Sequence, residues 1–308
     1  MVHPYFIALK ATEASNQSWK ETSNSEQQVA ALMGVLESSR LSSLSSVEFG
    51  AGKGTLTRAL HAASNEVDAV RIIVDRDRSK GGSCQHTDEC RFDEGFALRF
   101  RIDIRHFLLA GVPELQGCDV VGIGKHVCGA ATDYTLRCLC RKTQNSPAAA
   151  TVPENEEQAG VLLKRYSRSE RKAMAKRIGD AWRQMSLCEQ VRHLSSNAPP
   201  SVKGVAIALC CHHLCTWESY VNHEWLNKHD ICPADFQLIC RMSSWAVTEP
   251  RGPQADLQAA LGHACKDFLN NGRALFLEQH GFKAHVVEYC GHQQSKENKL
   301  LLATLSES

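Results

Sequence analysis

The sequence predicts an α/β protein with a mostly parallel, seven-stranded sheet and an antiparallel hairpin at one edge. Short apolar stretches alternate with stretches whose apolar residues recur at helical spacing, which is typical of a doubly wound sheet. The last two apolar stretches are joined by a short connection, which favours an antiparallel pair. The predicted strands lie at 47–49, 69–75, 98–104, within 118–129, and at 204–209, 282–290 and 299–305.

Composition sets limits on the class of protein. The chain has 308 residues, with 43% hydrophobic and 22% charged residues, which suits one large α/β domain with a substantial core. Its net charge of +1 gives no overall field for a polyanion, so any nucleic-acid surface must be local. Most of the 14 cysteines lie in apolar or helical patterns, and the N-terminal apolar run is too short for a signal peptide. These features predict reduced thiols in a cytosolic or nuclear protein, and no stretch has the roughly 18 apolar residues of a membrane span.

Several segments between the strands carry predictions of their own. Residues 1–25 are polar and weakly patterned, which predicts a flexible arm. The stretches 26–40 and 255–280 have apolar residues at helical spacing, whereas 236–245 is ambiguous between a short strand and a loop. The helix after the fourth strand is predicted to begin near Thr132 or Asp133. The apolar face of the helix over 26–40 consists of Val29, Leu32, Met33 and Leu36.

The composition changes over 142–203, which predicts an insertion into the domain. Within it, residues 164–183 hold eight Lys or Arg against two acids and read as a basic amphipathic helix. A charged face of this kind is commonly just solvated, but so concentrated a patch also suits contacts with phosphates. The apolar stripe of this helix is Met174, Ile178, Trp182 and Met185.

The stretch VEFGAGKG forms a glycine-rich turn between the first strand and the helix that follows. Gly50, Gly52 and Gly54, with Ala51 between them, allow the backbone to approach a ligand closely. The N-terminus of the next helix offers free N–H groups at the same place. Such a turn is shared by dinucleotide enzymes and methyltransferases, so it does not by itself choose between them.

Three acids near the strand ends narrow the choice of cofactor. Asp75 ends the second strand, where a carboxylate can accept both ribose hydroxyls of an adenosine, and Asp103 near the end of the third could bind the adenine amino group. Glu48, inside the first strand, would repel a pyrophosphate but suits the cationic amino-acid end of S-adenosylmethionine. The alternative is that Glu48 simply faces solvent. The set favours a methyltransferase over a nicotinamide enzyme.

Two further motifs carry a family resemblance. KHVCGAATDYTLRCL at 125–139 and ALCCHH at 208–213, with KENKLLLA near the end, resemble the eukaryotic tRNA 2′-O-methyltransferases that modify the fourth nucleotide of the acceptor stem, the tRNA guanosine/cytidine/adenosine-4 family. The similarity covers most of 26–140 and 204–305. It implies a Rossmann-like class I methyltransferase domain over 26–308 that uses S-adenosyl-L-methionine and acts on tRNA.

The cluster at 210–215 admits three interpretations. Zinc binding suits Cys and His, but the adjacent pairs lack the usual spacing and no second spaced pair is nearby, so we expect no metal. A cysteine nucleophile suits methylation of a base carbon, which ribose O-methylation does not need. The third interpretation, which we prefer, places the cluster at the carboxyl end of the fifth strand beside the loop at 125–129, as part of one pocket wall.

This interpretation assigns roles to particular side chains. His212 or His126 would accept the ribose proton as the methyl group transfers, and Lys125 would stabilise the developing alkoxide charge. Lys125, His126 and Cys128 would also line the cofactor pocket, and Cys211 would face the nucleotide. Packing cysteines and hydrogen-bonded core histidines are the alternative for each residue taken singly.

The chain also departs from the family pattern. Members commonly carry small N-terminal zinc-binding modules, and no such pattern is present in residues 1–25. We therefore expect tRNA to be contacted by the basic segment 164–183 or with the help of a partner. The other functions that the sequence leaves open are methylation of a protein or small molecule, and RNA binding by a catalytically inactive paralogue.

Overall fold

The computed structural model describes residues 23–64, 69–76, 97–125, 127–141, 155–163, 171, 181–190, 199–248 and 252–306. Residues 1–22 of the predicted arm and most of the predicted insertion over 142–203 fall outside these ranges. The predicted arm is too long at its end, because Ser23 caps the first described helix and residues 24 and 25 belong to it. The helices are α1 (Asn24–Ser38), α2 (Thr55–Ala63), α3 (Ala130–Cys140), α4 (Glu156–Leu163), α5 (Ala181–Gln184), α6 (His223–Lys228), α7 (Pro233–Ser243) and α8 (Ala255–Gln279). The strands are β1 (Ser45–Phe49), β2 (Arg71–Asp75), β3 (Ala97–Arg101), β4 (Asp119–Gly124), β5 (Ser201–Ala208), β6 (Phe282–Glu288) and β7 (Lys299–Leu305).

The seven described strands form one sheet in the order β3-β2-β1-β4-β5-β7-β6. β1 is parallel to β2 and to β4, and β2 is parallel to β3. The strand order reverses its direction of growth at β1, so β1 and β4 enclose a topological switch point. In open α/β sheets the ligand crevice lies outside the carboxyl ends of the strands at such a point. This geometry places the loops after β1 and β4 at the expected ligand edge.

The edge hairpin is confirmed. β7 is antiparallel to both β5 and β6, with Phe282 opposite Leu305 and Glu288 opposite Lys299. The β7 strand therefore joins the hairpin to the parallel part of the sheet. Both late strands follow the predicted stretches closely because their apolar residues have to cover a buried sheet face.

The core on one side of the sheet includes the apolar face of α1, as predicted. Ser23 and Glu26 form a capping box that starts this helix. The four apolar residues of its predicted face are at most 1% exposed and pack with residues of α2, β4, β5 and β7. A second core cluster joins α6, α7 and α8 around Tyr220, Phe236 and Leu269.

The segment 236–245 is neither a strand nor a loop: it lies mostly in helix α7. Pro233 occupies the first turn, where its missing N–H does no harm, and Phe236, Cys240 and Ser243 form one buried face. That spacing of four and three residues is helical. The ten residues 236–245 taken alone contain too few apolar positions to show this helical spacing.

The helix α3 begins earlier than predicted, at Ala130, so Thr132 and Asp133 lie within its first turn. Thr132 Oγ1 donates to the carbonyl of Val127 at 2.5 Å. Asp133 is fully buried and pairs with Arg273 of α8 at 2.6 Å, with both side chains 0% exposed. An acid that could have capped the helix instead joins it to α8.

The chain divides into two compact units. One comprises the described parts of Met1–Phe107, Val120–Cys140 and Val202–Ser308, and the other those of Leu108–Asp119 and Arg141–Ser201. Within the second unit, Ala159 packs with Leu163 and Leu187. The carboxylate of Glu156 accepts the N–H of Leu187 at 2.9 Å, which joins α4 to the segment after α5. Across the described ranges, no helix has both the length and the apolar character needed to cross a membrane.

We predict that Asp133→Ala lowers the free energy of unfolding by about 3–5 kcal/mol, because it leaves the buried guanidinium of Arg273 without its counter-charge. The double variant Asp133→Leu, Arg273→Met should recover much of this loss, since it leaves no unpaired charge. Urea denaturation followed by circular dichroism measures both values.

Glu288→Ala is the matched control, because Glu288 pairs with Lys299 at 2.9 Å on the surface, where its side chain is 62% exposed. It should change stability little. Equal midpoints for Asp133→Ala and Glu288→Ala would show that leaving Arg273 without its counter-charge does not destabilise the fold.

Candidate functional site

The loop after β1 has the backbone that its glycines predict. Gly50, Gly52 and Gly54 all have left-handed φ angles, of +62°, +53° and +72°. Gly54 is the N-cap of α2, and its N–H donates to the carbonyl of Ala51 at 2.8 Å. Space is open where a Cβ on Gly52 would lie. The loop therefore exposes backbone at the carboxyl edge of β1 and directs the start of α2 towards the crevice.

Glu48 is buried, so the solvent-facing alternative is wrong. Glu48 is 3% exposed. Its Oε2 accepts hydrogen bonds from the N–H of Thr57 at 2.8 Å and from Thr57 Oγ1 at 2.5 Å. Burial raises the pKa of Glu48 to about 7, although Thr57 and the cations of Arg99 and Lys125 act to lower it. The result is a carboxyl group beneath the glycine loop whose charge depends on its surroundings near neutral pH.

Asp75 ends β2, as predicted, and contacts the glycine loop directly. Its Oδ2 accepts the N–H of Gly52 at 2.6 Å. From β3, Arg99 Nη2 donates to the carbonyl of Gly52 at 2.7 Å. Both the donor and the acceptor of the Gly52 backbone are thus fixed from neighbouring strands, which defines the shape of the loop before any ligand binds.

Asp103 lies two residues beyond β3 and is engaged by its own neighbour. Its carboxylate accepts from Arg105, with Nη2 to Oδ2 at 2.9 Å, and caps the short 3₁₀ turn Ile104–His106. These hydrogen bonds lower the pKa of Asp103 to about 2. The predicted contact with an adenine amino group stays a prediction.

Lys125 follows β4 and reaches towards the start of α1. Its ammonium donates to Ser25 Oγ at 2.6 Å and to the Ser25 carbonyl at 3.1 Å. Burial lowers the pKa of Lys125, an effect that the nearby carboxylate of Glu48 opposes. Glu48 in β1 and Lys125 directly after β4 therefore lie close enough for their charges to affect each other's pKa at the switch point. His126, the other predicted residue here, lies outside the described part of the chain.

The loops after β4 and β5 bring three thiols together. Cys128 Sγ is 3.3 Å from Cys210 Sγ, and the sulfur atoms of Cys128, Cys210 and Cys211 all lie within 4.8 Å of one another. The hydrogen bond with Cys210 lowers the pKa of Cys128 to about 6, and the same bond raises that of Cys210. Burial raises the pKa of Cys211 to about 11. The predicted juxtaposition of the two loops is therefore present.

His212 is turned away from the three thiols and into the core. Its ring is 1% exposed, and Nε2 hydrogen-bonds to Asn270 Oδ1 of α8 at 2.7 Å. Burial, aided by the nearby charge of Arg273, lowers the pKa of His212 to about 3. The ring is neutral and holds the turn after β5 against α8. Its role as a general base stays a prediction.

Several residues that contribute to this region were not singled out by the sequence analysis. Thr57 donates hydrogen bonds to Glu48 beneath the glycine loop, and Arg99 donates one to the carbonyl of Gly52. Arg273 of α8 contacts the carbonyl of Gly129 at 3.4 Å and Cys215 Sγ at 3.1 Å. Glu297, in the loop before β7, pairs with Lys266 at 2.6 Å and lies near enough to Cys128 and Cys211 to raise their pKa values. Arg99, Arg273 and Glu297 could not be found from the sequence because their partners lie 31 or more residues away, whereas Thr57 lies only nine residues from Glu48.

The sheet and this edge first define the class of molecule: an α/β protein whose parallel strands reverse their order between β1 and β4, where such sheets bind ligands. The sequence profile of the family Methyltransferase TRM13 matches residues 27–259 and 254–304. The chain therefore belongs to the TRM13 methyltransferase family.

Individual relatives agree with this family. The chain is 30% identical over 306 residues to the tRNA:m(4)X modification enzyme TRM13 homolog of Mus musculus, covering 83% of this chain and 59% of that protein. It is 29% identical to the Homo sapiens homolog, with 85% and 60% covered, and 28% identical to the TRM13 enzyme of Schizosaccharomyces pombe, with 83% and 60% covered. The chain thus spans about three fifths of the length of these relatives. No solved structure matches it significantly.

Proposed function

We propose that the chain transfers a methyl group from S-adenosyl-L-methionine to the ribose 2′-hydroxyl of the fourth nucleotide in the tRNA acceptor stem. The family supports methyl transfer, and the names of the relatives, tRNA:m(4)X modification enzymes, support tRNA as the substrate. We further infer that the sheet is a Rossmann-like class I methyltransferase fold, since its switch point and antiparallel edge match what that fold requires. The observation that carries the proposal is the buried Glu48 beneath the glycine loop.

The residues at this edge fit the cofactor. A buried carboxyl at Glu48 can neutralise the ammonium of the amino-acid end, which a pyrophosphate-binding site would not tolerate. The glycine loop leaves backbone and open space at Gly52, and Asp75 at the end of β2 has carboxylate oxygens for the ribose hydroxyls. When bound, S-adenosyl-L-methionine supplies an electrophilic methyl group on its sulfonium. The chain would hold and orient this group by fixed contacts made before binding.

Transfer breaks the S–CH₃ bond, forms an O–CH₃ bond and releases the hydroxyl proton. His212 and His126 are the predicted acceptors of that proton, and Lys125 is the predicted cation beside the oxygen. The ammonium of Lys125 lies at the switch point, near Glu48. The hydrogen bond of His212 to Asn270 gives His212 a second task, which is to position the turn after β5.

We predict that the protein, incubated with methyl-labelled S-adenosyl-L-methionine and total tRNA, labels RNA at the ribose of nucleotide four. Resistance of the adjacent phosphodiester to alkali, followed by mapping of the labelled fragment, identifies the site. Glu48→Gln should reduce transfer strongly, whereas the exposed Glu37→Gln on α1 serves as a control that keeps it.

Three outcomes would contradict the proposal. Label confined to bases excludes ribose chemistry, and label in protein but not in RNA indicates a protein methyltransferase. Cofactor binding without any transfer indicates an inactive RNA-binding paralogue. Separately, near wild-type transfer by both His212→Ala and His126→Ala would show that neither histidine accepts the proton.

We predict that cofactor affinity rises with pH through about 7, because only ionised Glu48 attracts the cofactor ammonium, and its carboxyl is protonated below that pH. Affinity should fall again above about pH 8, where an α-amino group loses its own proton. Calorimetric titration with S-adenosyl-L-methionine between about pH 6 and about pH 9 measures this profile.

Glu48→Gln should bind more weakly and lose the rise through neutral pH, while Glu37→Gln should keep it. A wild-type affinity that is flat between about pH 6 and about pH 8 would show that Glu48 does not contact the ammonium.

We also propose that the basic segment 164–183 contacts the tRNA backbone, on the strength of its concentrated charge. Replacing Lys172, Lys176 and Arg177 with Gln should weaken tRNA binding and make its salt dependence less steep, by about one unit of log K against log salt for each phosphate that is no longer neutralised. Cofactor affinity should not change. The control removes three exposed charges elsewhere, at Arg40, Lys228 and Lys283. Equal salt slopes in the two triple variants would place the RNA surface elsewhere.

A further inference from the structure

The three thiols at the carboxyl edge come from two loops that the fold holds together. Cys128 follows β4, Cys210 and Cys211 follow β5, and these strands are neighbours in the sheet. The N–H of Gly129 lies 3.5 Å from the carbonyl of Cys210. Any Cβ on Gly129 would clash with the backbone of Leu214, at 2.6 Å, so glycine permits this approach. The convergence of the sulfurs is built into the backbone.

Cys211 has a backbone conformation that directs its thiol to this place. Its φ is +48°, in the left-handed region that non-glycine residues seldom adopt. The unusual turn lets two consecutive cysteines present their sulfurs to one point, which extended or helical backbone would not do. Cys128 and Cys211 are half-buried, so the cluster is reachable from solvent.

We propose that Cys128, Cys210 and Cys211 form a Zn²⁺ site with three thiolate ligands. Tetrahedral zinc with Zn–S bonds of about 2.3 Å places its sulfur atoms about 3.8 Å apart. The Cys128 and Cys210 sulfur atoms are 3.3 Å apart, and all three sulfur atoms lie within 4.8 Å of one another, which is compatible with that spacing. Small rotations of the thiols would therefore complete the geometry without moving either loop.

The chemistry of the ligand set selects the metal. Soft thiolates favour zinc over the hard cations magnesium and calcium, which take oxygen ligands. Three ligands leave the fourth tetrahedral position to water or another oxygen. On sequence spacing alone no metal was expected, because Cys128 is distant in the chain from the other two thiols.

Metal binding is balanced by the loss of thiol protons, and no electron is transferred. Because bound zinc would join the loops after β4 and β5, it should also stabilise the fold by mass action. The zinc proposal does not depend on the proposed methyl transfer, because it is tested by measuring metal binding and not activity.

The test is to remove metal from the reduced protein with a chelator and then titrate it with Zn²⁺ alone and with Co²⁺ alone. We expect one equivalent of zinc to bind and to raise the melting temperature. Bound cobalt should give an intense thiolate-to-metal absorption band and the visible bands of tetrahedral coordination. Cys211→Ser removes one thiolate ligand at a half-buried position and should weaken metal binding by at least about 10–100-fold, the loss typical when a residue that merely supports a metal ligand is replaced.

Cys128→Ser and Cys210→Ser should behave like Cys211→Ser. The control is Cys232→Ser, because Cys232 is an exposed residue at the N-cap of α7, where serine caps as well. Reduced protein that binds neither ion overturns the proposal. So does binding that none of the three substitutions weakens while circular dichroism shows them folded. Isolation of the protein with a Cys128–Cys210 disulfide and no metal would assign the cluster to thiol oxidation instead.

Discussion

The arrangement of the candidate site depends on one buried ion pair, between Arg273 and Asp133. The guanidinium donates to both carboxylate oxygens, at 2.6 Å and 3.2 Å, and also contacts Gly129 and Cys215. Burial acts to lower the pKa of Arg273, but the carboxylate raises it well above its ordinary value. A single side chain of α8 thus fixes the first turn of α3, the loop after β4 and the turn after β5. Desolvation is costly for such a charge, so the pair defines position more than it adds stability.

A second buried charge is handled differently. Glu48 has hydrogen bonds from Thr57, yet burial still raises its pKa to about 7. The fold therefore keeps a carboxyl group that it neutralises only in part. A fixed arginine at contact distance, as at Asp133, would satisfy the charge but leave nothing for a ligand. Incomplete neutralisation is the condition under which a cationic ligand gains most from binding, because it supplies the missing counter-charge.

The sequence predicts the fold wherever the signal is local. The face of α1 and the hairpin of β6 and β7 follow from apolar spacing within one segment, and Asp75 ends its strand as expected. The prediction fails for α7, since a window of ten residues holds too few turns to reveal a helical period. It also fails for Asp133, where a local capping role competes with a partner 140 residues away. Patterns along the chain do not report which distant charge a buried acid will meet.

Residues 208–215 of the candidate site also have partners that the sequence pattern does not predict. From their positions in the sequence, its cysteines and histidines were expected to form part of one pocket wall. The left-handed turn at Cys211 separates them: the sulfurs of Cys210 and Cys211 meet Cys128, His212 turns to Asn270, and Cys215 contacts Arg273. Neighbouring residues therefore contact two different elements, the loop after β4 and the helix α8. The spacing rules that disfavoured a metal consider only neighbours in sequence, whereas the third thiol comes from the neighbouring strand. What decides the chemistry here is the sheet order, which brings the ends of β4 and β5 together.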